Sequence, residues 1–398
     1  MKPERKRIEA WRSSLSPECR ARIEQAVTWL CETKERGGKI AVVTGSGPNV
    51  HEGVTTLIAE LMRAGIVDGV TTSSAVVAHE MGGVLDRVKR VDGRSLGIPA
   101  HLLPRGGLFE FTQIEEPLLA RLAQDMPFDE DLWNKGKQAD GAVIIKAAGN
   151  MGYPMGLWLE QTAEKVLPWA REQNLPFERV IGEYADERTM LGQGARRDLP
   201  VLVTIPQLVG GGMVGLAVGD SISLTRRARL TAGLLESADV IIESAVVLTQ
   251  EVHDGPFETF TGHGIWTGWQ GKSTYRLENK KLIRIDLDSA LDRAWRFERE
   301  SRAVQEAIDK GLPKTKLMDI PFRMEMSGFA RLEGSLPVIA DIGVIWPILA
   351  SDMEERLGIE LEFISAPQQT PEGQRMREWI ADTIQPIQPV AVTSRPAS

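Results

Sequence analysis

The sequence predicts a doubly wound α/β fold around a mostly parallel sheet, led by an N-terminal helix. Three observations predict it. Short apolar runs such as residues 39–44, of the kind a parallel strand needs when both its faces are covered, recur along the chain. Stretches of helical period alternate with them. Glycine- and hydroxyl-rich turns stand where a strand gives way to a helix, the edge at which open α/β sheets bind ligands. Together these describe a Rossmann-like architecture.

In chain order, Ile23, Ala26, Val27, Leu30 and Cys31 recur at helical spacing and Gly37 and Gly38 end the pattern, so residues 1–36 form a leading helical segment. Residues 39–44 read as the first buried strand, 45–53 as its turn and 54–64 as the following helix. Residues 67–72 repeat the strand pattern and 75–88 the helical one. From 90 to 113 the chain is rich in Gly, Pro and Arg with little period, which opens a loop or lid excursion over 90–135. Further strands are expected at 141–147, 180–183, 201–205, 240–244, 282–286 and 338–341, and helices at 157–172, 224–237, 289–310 and 344–357. One α/β domain over 1–384 is expected, followed by a Pro-rich tail over 385–398.

The 398 residues, 42% hydrophobic and 26% charged, are enough for a large core. A formal charge of −8 disfavours nucleic acid or an anionic membrane as partner, since both need a positive field, and favours a small molecule. Cys19 and Cys31 fall in one helical segment, which favours neither a disulfide framework nor a zinc site and suits a reducing compartment. With no apolar stretch behind the charged N-terminus and no run of about 18 apolar residues, a cytoplasmic chain is expected. There is no His-Glu-x-x-His and no Gly-x-Ser-x-Gly, so neither a metal centre nor a hydrolase triad is expected.

The turn after the first strand holds Gly45, Ser46, Gly47, Asn49, His51, Glu52 and Gly53, placing backbone N–H groups where an anion binds. The alternative is a tight strand-to-helix turn. After the second strand, Thr71, Thr72, Ser73 and Ser74 precede His79 and Glu80. A histidine handles protons near neutral pH and a glutamate orients it, so His51, His79 and Glu80 form a candidate cluster; solvated helix residues are the alternative for the last two. Lys146 leaves an apolar run shortly before Asn150, and is read as a base, imine former or carboxylate clamp, or as an ordinary ion-pairing lysine. Gly210, Gly211 and Gly212 suit backbone passing against a flat ligand, or a flexible loop. Asp286 closes a strand where an acid holds a ribose hydroxyl, although Asp288 is an equal candidate for capping the next helix. Asp254, His263, Trp266 and Trp269 make an aromatic, polar segment suited to walling a small cation, or a structural hairpin with buried tryptophans.

Residues 42–83, with their glycine-punctuated turn, the segment 57–68, Thr71 and Thr72, resemble the deoxyhypusine synthase group, and the likeness returns over 338–349 around Asp341. Asn49, His51, Gly53 and residues 75–80, with 238–243 and 282–286, also resemble the related LOR/SDH-type NAD-binding domain of ornithine cyclodeaminases. The resemblance implies a deoxyhypusine synthase-like NAD-binding fold, NAD at the strand C-termini, and a homotetramer or dimer. It suggests Ser46, Gly47, Asn49, Thr72, Ser73, Ser74 and Asp341 as cofactor contacts. The synthases' glycine-rich segment with its essential lysine has no counterpart here, which argues against deoxyhypusine synthase activity itself. The expected chemistry is NAD-dependent hydride abstraction from a C–N centre of a small amine or amino acid, then deamination or cyclisation. His51, His79, Glu80 and Lys146 would handle protons and the imine, with Asn150, Asp254, Trp266 and Trp269 on the substrate. An aminoalkyl transferase of homospermidine synthase type, using Lys146 or Lys272, is the second expectation, and a non-catalytic NAD- or metabolite-sensing module the third.

Overall fold

The computed structural model describes residues 1–45, 47–125, 127–149, 155–204, 212–245, 268–269, 272–273, 280–286, 293, 296–297, 300–312, 317 and 334–388. Of the candidate residues, Ser46, Asn150, Gly211, Asp254 and Trp266 lie outside these, as does His263; of Trp269, Lys272 and Asp286 only the backbone is described.

The described strands are β1 (Ile40–Thr44), β2 (Gly69–Thr72), β3 (Leu85–Asp92), β4 (Leu108–Thr112), β5 (Gly141–Ala147), β6 (Val201–Val203), β7 (Val240–Ser244), β8 (Gly268–Trp269), β9 (Lys272–Ser273), β10 (Lys281–Asp286) and β11 (Ser335–Ile339). Six of them form one sheet in the order β6-β2-β1-β7-β10-β11, every pairing parallel. Counted by appearance within this sheet the order is 3-2-1-4-5-6, that of dinucleotide-binding folds. The chain builds outward from β1 through β2 to β6, then crosses back to lay β7 on the other side of β1. The strand order therefore reverses between β1 and β7, and the crevice outside their carboxyl ends is where such sheets take ligands.

Side-chain alternation assigns the two faces. Val42, Val70, Val203, Ile242, Ile283 and Val338 point into the main core with the helices Pro17–Glu35, Val54–Arg63 and Ile342–Leu357. Their neighbours Ala41, Val43, Leu202, Ile241 and Leu282 pack on Ala228, Ala232 and Leu235 of the helix Leu224–Ser237. Each fully buried Val, Leu or Ile side chain contributes roughly 1.5–3 kcal/mol over its exposed state. The leading helix begins where Ser16 accepts a hydrogen bond from Cys19 N at 3.1 Å, with Pro17 in the first turn where no N–H is needed, and a further helix, Arg5–Ser14, precedes it. Among the described residues no helix is long and apolar enough to cross a membrane.

The structure departs from expectation in the middle of the chain. The helix expected over 75–88 stops at Met81 (Ser74–Met81), and Gly83 at φ +95° and Val84 at φ +71° turn the chain into β3. Leu85, Val88 and Val91 are all buried at a spacing of three, which imitates a helix; in the strand, 85 and 91 face one way and 88 the other. Residues 141–147 are a strand as expected, but β5 runs antiparallel to β3, pairing Ala147 with Leu85, in a second sheet of order β4-β3-β5. The segment 90–135, expected as a loop or lid, holds β4 and the helices Glu116–Asp125 and Glu130–Gln138 around a small core of Val91, Leu96, Phe111, Leu119 and Trp133. Residues expected as a strand at 180–183 fall largely in the helix Phe177–Gly182, because an apolar run this short carries no period that separates the two. Of the helix expected over 289–310, Arg302–Asp309 is described as one element. At the start of the expected tail, Ile387 is buried and its N–H donates to Met81 O at 3.0 Å.

Candidate functional site

The carboxyl edge of β1 ends in Thr44, and the chain turns through Gly47 into the short helix Pro48–His51. Gly47 has φ +64°, and among the described residues a Cβ there would meet nothing within 4 Å, so on that side they leave it open to an approaching group. Asn49 fastens this turn across the switch point. Its Nδ2 donates to Ser244 O at 3.0 Å, while its Oδ1 accepts from the Ser244 hydroxyl at 2.6 Å. Trp346 Nε1 in turn donates to Ser244 Oγ at 2.8 Å. The fully buried amide of Asn49 thus holds the turn after β1 to β7. Ser244 and Trp346 were not singled out from the sequence, although a buried tryptophan requires an acceptor for its N–H.

His79 lies on the helix Ser74–Met81, buried, with Nδ1 donating to Ala148 O at 2.7 Å. That bond selects the tautomer in which Nε2 carries the lone pair, the form of a general base. Burial holds the imidazole below its ordinary pKa and outweighs the carbonyl, which pulls the other way. His51 is also held below its ordinary value, first by burial and then by the charges of Arg377, His79 and Lys146. The structure thus brings together His51, His79 and Lys146, drawn from three elements, and adds Arg377 from the helix Pro371–Thr383. Arg377 donates to Ile145 O and places a guanidinium nitrogen 3.5 Å from His51 Nδ1. Nothing in the local sequence separates Arg377 from Arg375, whose nearest partner is Glu372.

Glu80 does not join this cluster. Its two carboxylate oxygens accept from Met190 N at 3.0 Å and Leu191 N at 2.9 Å, satisfying the first turn of the helix Met190–Arg197. Lys146 is ion-paired to Glu110 at 2.7 Å on the small sheet, and does not emerge from a parallel strand. Ser73 caps its helix by accepting from Val76 N, and Ser74 is fully buried. Asp341 likewise caps the helix Ile342–Leu357 through Gly343 N at 2.9 Å. Gly212, at φ +58°, is the residue before the helix Met213–Ser221, and a Cβ there would strike Glu160. Thr72 behaves differently: its hydroxyl, with those of Thr71 and Thr204 near the carboxyl ends of β2 and β6, is buried without a hydrogen-bond partner among the described residues. Polar atoms orphaned at a ligand-binding edge are what a bound molecule would satisfy. A cavity of about 630 Å³ exists at the opposite edge, by Lys39, Asp68 and Pro200 at the amino ends of β1, β2 and β6; none of the candidate residues lines it.

Glu80 yields a pH prediction. Burial pushes its carboxyl up to about 7, outweighing the two backbone donors. Between the ordinary value of 4.5 and about 7 the folded chain therefore holds a proton that the unfolded chain has released. The stabilisation this represents is complete below 4.5 and lost as pH rises through about 7. Relative to Glu80→Gln, which cannot titrate, the native chain should lose stability from pH 5 to pH 8, read as urea midpoints at each pH. A constant difference between the two proteins would show that Glu80 does not titrate in this range.

No family model matches the chain. In sequence it resembles a probable deoxyhypusine synthase of Methanopyrus kandleri, 30% identical over 120 residues, a match spanning 29% of this chain and 40% of that protein. Solved structures to which the chain is similar include a LOR/SDH protein of Methanococcus maripaludis S2, at 12% identity and TM-score 0.41, covering 87% of this chain and 70% of that one. Another is AgrE in a ternary complex with ornithine and NAD+, at 14% identity and TM-score 0.41, covering 86% of this chain and 34% of that one.

Proposed function

We propose that the chain is an NAD-dependent enzyme that oxidises a C–N centre of a small amine or amino acid to an imine, which is then deaminated or cyclised. The observation that carries this reading is His79, a buried imidazole on the helix that follows β2, whose Nδ1 is committed to Ala148 O and whose Nε2 is left as base. Among the described residues, the open side of Gly47 and the unpartnered Thr72 hydroxyl fit a nucleotide at the carboxyl edge of the sheet. NAD, when bound, supplies the hydride acceptor. The chain's own contribution is to take the proton. As the substrate carbon loses hydride, its amine N–H passes a proton to His79 Nε2, leaving a C=N bond. Addition of water to that bond expels ammonia and leaves a carbonyl; alternatively, attack of a second amine of the same molecule on the C=N carbon expels the ammonia and closes a ring.

The transferase alternative requires an uncommitted lysine at the site; Lys146 is bound to Glu110, and the side chain of Lys272 lies outside the described residues. For the oxidative reading, denaturing the purified protein and weighing the released small molecules should yield NAD, or titration with NAD+ should raise the melting temperature. Absence of both effects, with NAD+ and NADP+ alike, would overturn it.

A further inference from the structure

His79 is linked to a carboxylate that the proposed reaction leaves unused. Its Nδ1 donates to Ala148 O at 2.7 Å, and the N–H at the other end of that same peptide group, on Gly149, donates to Asp86 Oδ2 at 3.1 Å. We propose that Asp86 is a positioning residue for His79, acting through the 148–149 peptide: its charge makes the Ala148 carbonyl a stronger acceptor and so stabilises the imidazolium that forms when Nε2 takes a proton. The inference rests on the reading of His79 as the base and deepens it.

Two features carry it. The N–H and C=O of one peptide are conjugated, and hydrogen bonds in a chain polarise one another, more strongly in a low-dielectric interior. The arrangement is that of a base whose second ring nitrogen is oriented by a carboxylate, with one peptide group inserted between them. The second feature is that the backbone fixes this peptide. Val84 N donates to His79 O at 2.7 Å and Val84 O accepts from Ala148 N at 2.9 Å, so one residue clamps both ends of the His79 contact. Val84 does so at φ +71°, a left-handed conformation that a β-branched residue keeps only where its surroundings impose it. Gly149 stands at φ +77°, and a Cβ there would meet Leu159 Cδ1 at 2.6 Å.

Burial pushes the Asp86 carboxyl up to about 6, outweighing the Gly149 donor, so the group is a carboxylate above that pH. The other charges nearby are committed or of the wrong sign. Lys146, opposite Asp86 in the register of β3 and β5, is paired with Glu110. Asp86 also lines a cavity of about 570 Å³ with Arg87, Glu115, Arg121 and Asp382, where Arg87 pairs with Asp382 at 2.5 Å and Arg121 donates to Gln388 at 2.9 Å. Glu80 is held by Met190 N and Leu191 N, and the basic His51 and Arg377 can only oppose protonation of His79. Among the described residues, Asp86 is thus the carboxylate with a hydrogen-bonded path to the imidazole.

The full-length protein, isotopically labelled at histidine, makes a direct test: ring-nitrogen NMR shifts read the proton affinity of His79, whose signal is identified by its loss in His79→Asn. Asp86→Asn keeps an acceptor for Gly149 N and removes the negative charge that favours the imidazolium. It should lower the proton affinity of His79 by about threefold or more, a downward shift of about half a pH unit, and move the acid limb of kcat/KM the same way. NAD+ affinity should be unchanged. Asp86→Ser, smaller and still an acceptor, takes its place where the Asn variant fails to fold. An unchanged or raised proton affinity of His79 in a folded variant, even one of lowered stability, would reduce Asp86 to a brace of the turn and overturn the proposal. The NMR reading needs neither NAD+ nor substrate, so its failure strikes the coupling alone. Failure of the native protein to bind NAD+ would instead refute the oxidative reading and leave the coupling of the two side chains standing.

Discussion

Replacing Arg227 with methionine is expected to destabilise the fold by about 3–5 kcal/mol, the usual cost of leaving one member of a buried ion pair alone. Arg227 and Glu178 are both completely buried. The guanidinium bonds both oxygens of Glu178, and also donates to Val203 O at 3.2 Å, Val218 O at 2.7 Å and Ser221 Oγ at 3.3 Å. Glu178 Oε1 in turn accepts from Val203 N at 2.8 Å. One ion pair thus joins the helices Phe177–Gly182, Met213–Ser221 and Leu224–Ser237 to the edge strand β6. Methionine fills a similar volume and supplies none of the donors, so the Glu178 carboxylate is stranded in an apolar surround. Adding Glu178→Gln removes the stranded charge and should restore part of the loss. Urea midpoints of the native, single and double variants measure this. A single-variant loss below about 1 kcal/mol would mean that water reaches Glu178 and that the pair is not sealed.

Substituting His79 with asparagine is expected to lower kcat by about 10²–10⁴-fold, the usual share of a positioned general base, while NAD+ affinity and stability stay close to native. Asparagine reaches as far as Nδ1, so its amide can still donate to Ala148 O, but nothing replaces the Nε2 lone pair. The pH profile gives a second reading. Because burial holds His79 below its ordinary 6.5, the base form persists on the acid side, and the limb of kcat/KM that reports it should lie below 6.5. That limb should vanish in His79→Asn. Unchanged turnover, or an acid limb that survives the substitution, would assign the proton transfer elsewhere.

Much of the fold and part of the site are legible in the chain itself. The strands at 40–44, 69–72, 240–244 and 281–286 announce themselves as largely apolar runs because both sheet faces are covered, interrupted by the buried ion pair of Arg284 in β10 with Glu243 in β7. The turn holding Gly47 and His51, and the hydroxyls ending β2, follow from the same reasoning, since ligands meet such sheets where the strands stop. Local pattern failed where it was ambiguous in principle. Buried residues at 85, 88 and 91 fit a helix, and only the antiparallel pairing of β3 with β5 makes them a strand exposed to core on both faces.

What the sequence by itself determined is the alternation of elements, the parallel sheet and the loops at its carboxyl edge, because periodicity records which side of a segment is buried. What only the tertiary structure decided is the partner of each polar side chain. Glu80 sits next to His79 in the chain, yet it points to the helix Met190–Arg197 while His79 turns to Ala148. Arg377 follows His51 by 326 residues and lies beside it. A buried polar group must be satisfied by whichever donor or acceptor the folded chain delivers, and that delivery depends on distant packing that no local spacing encodes.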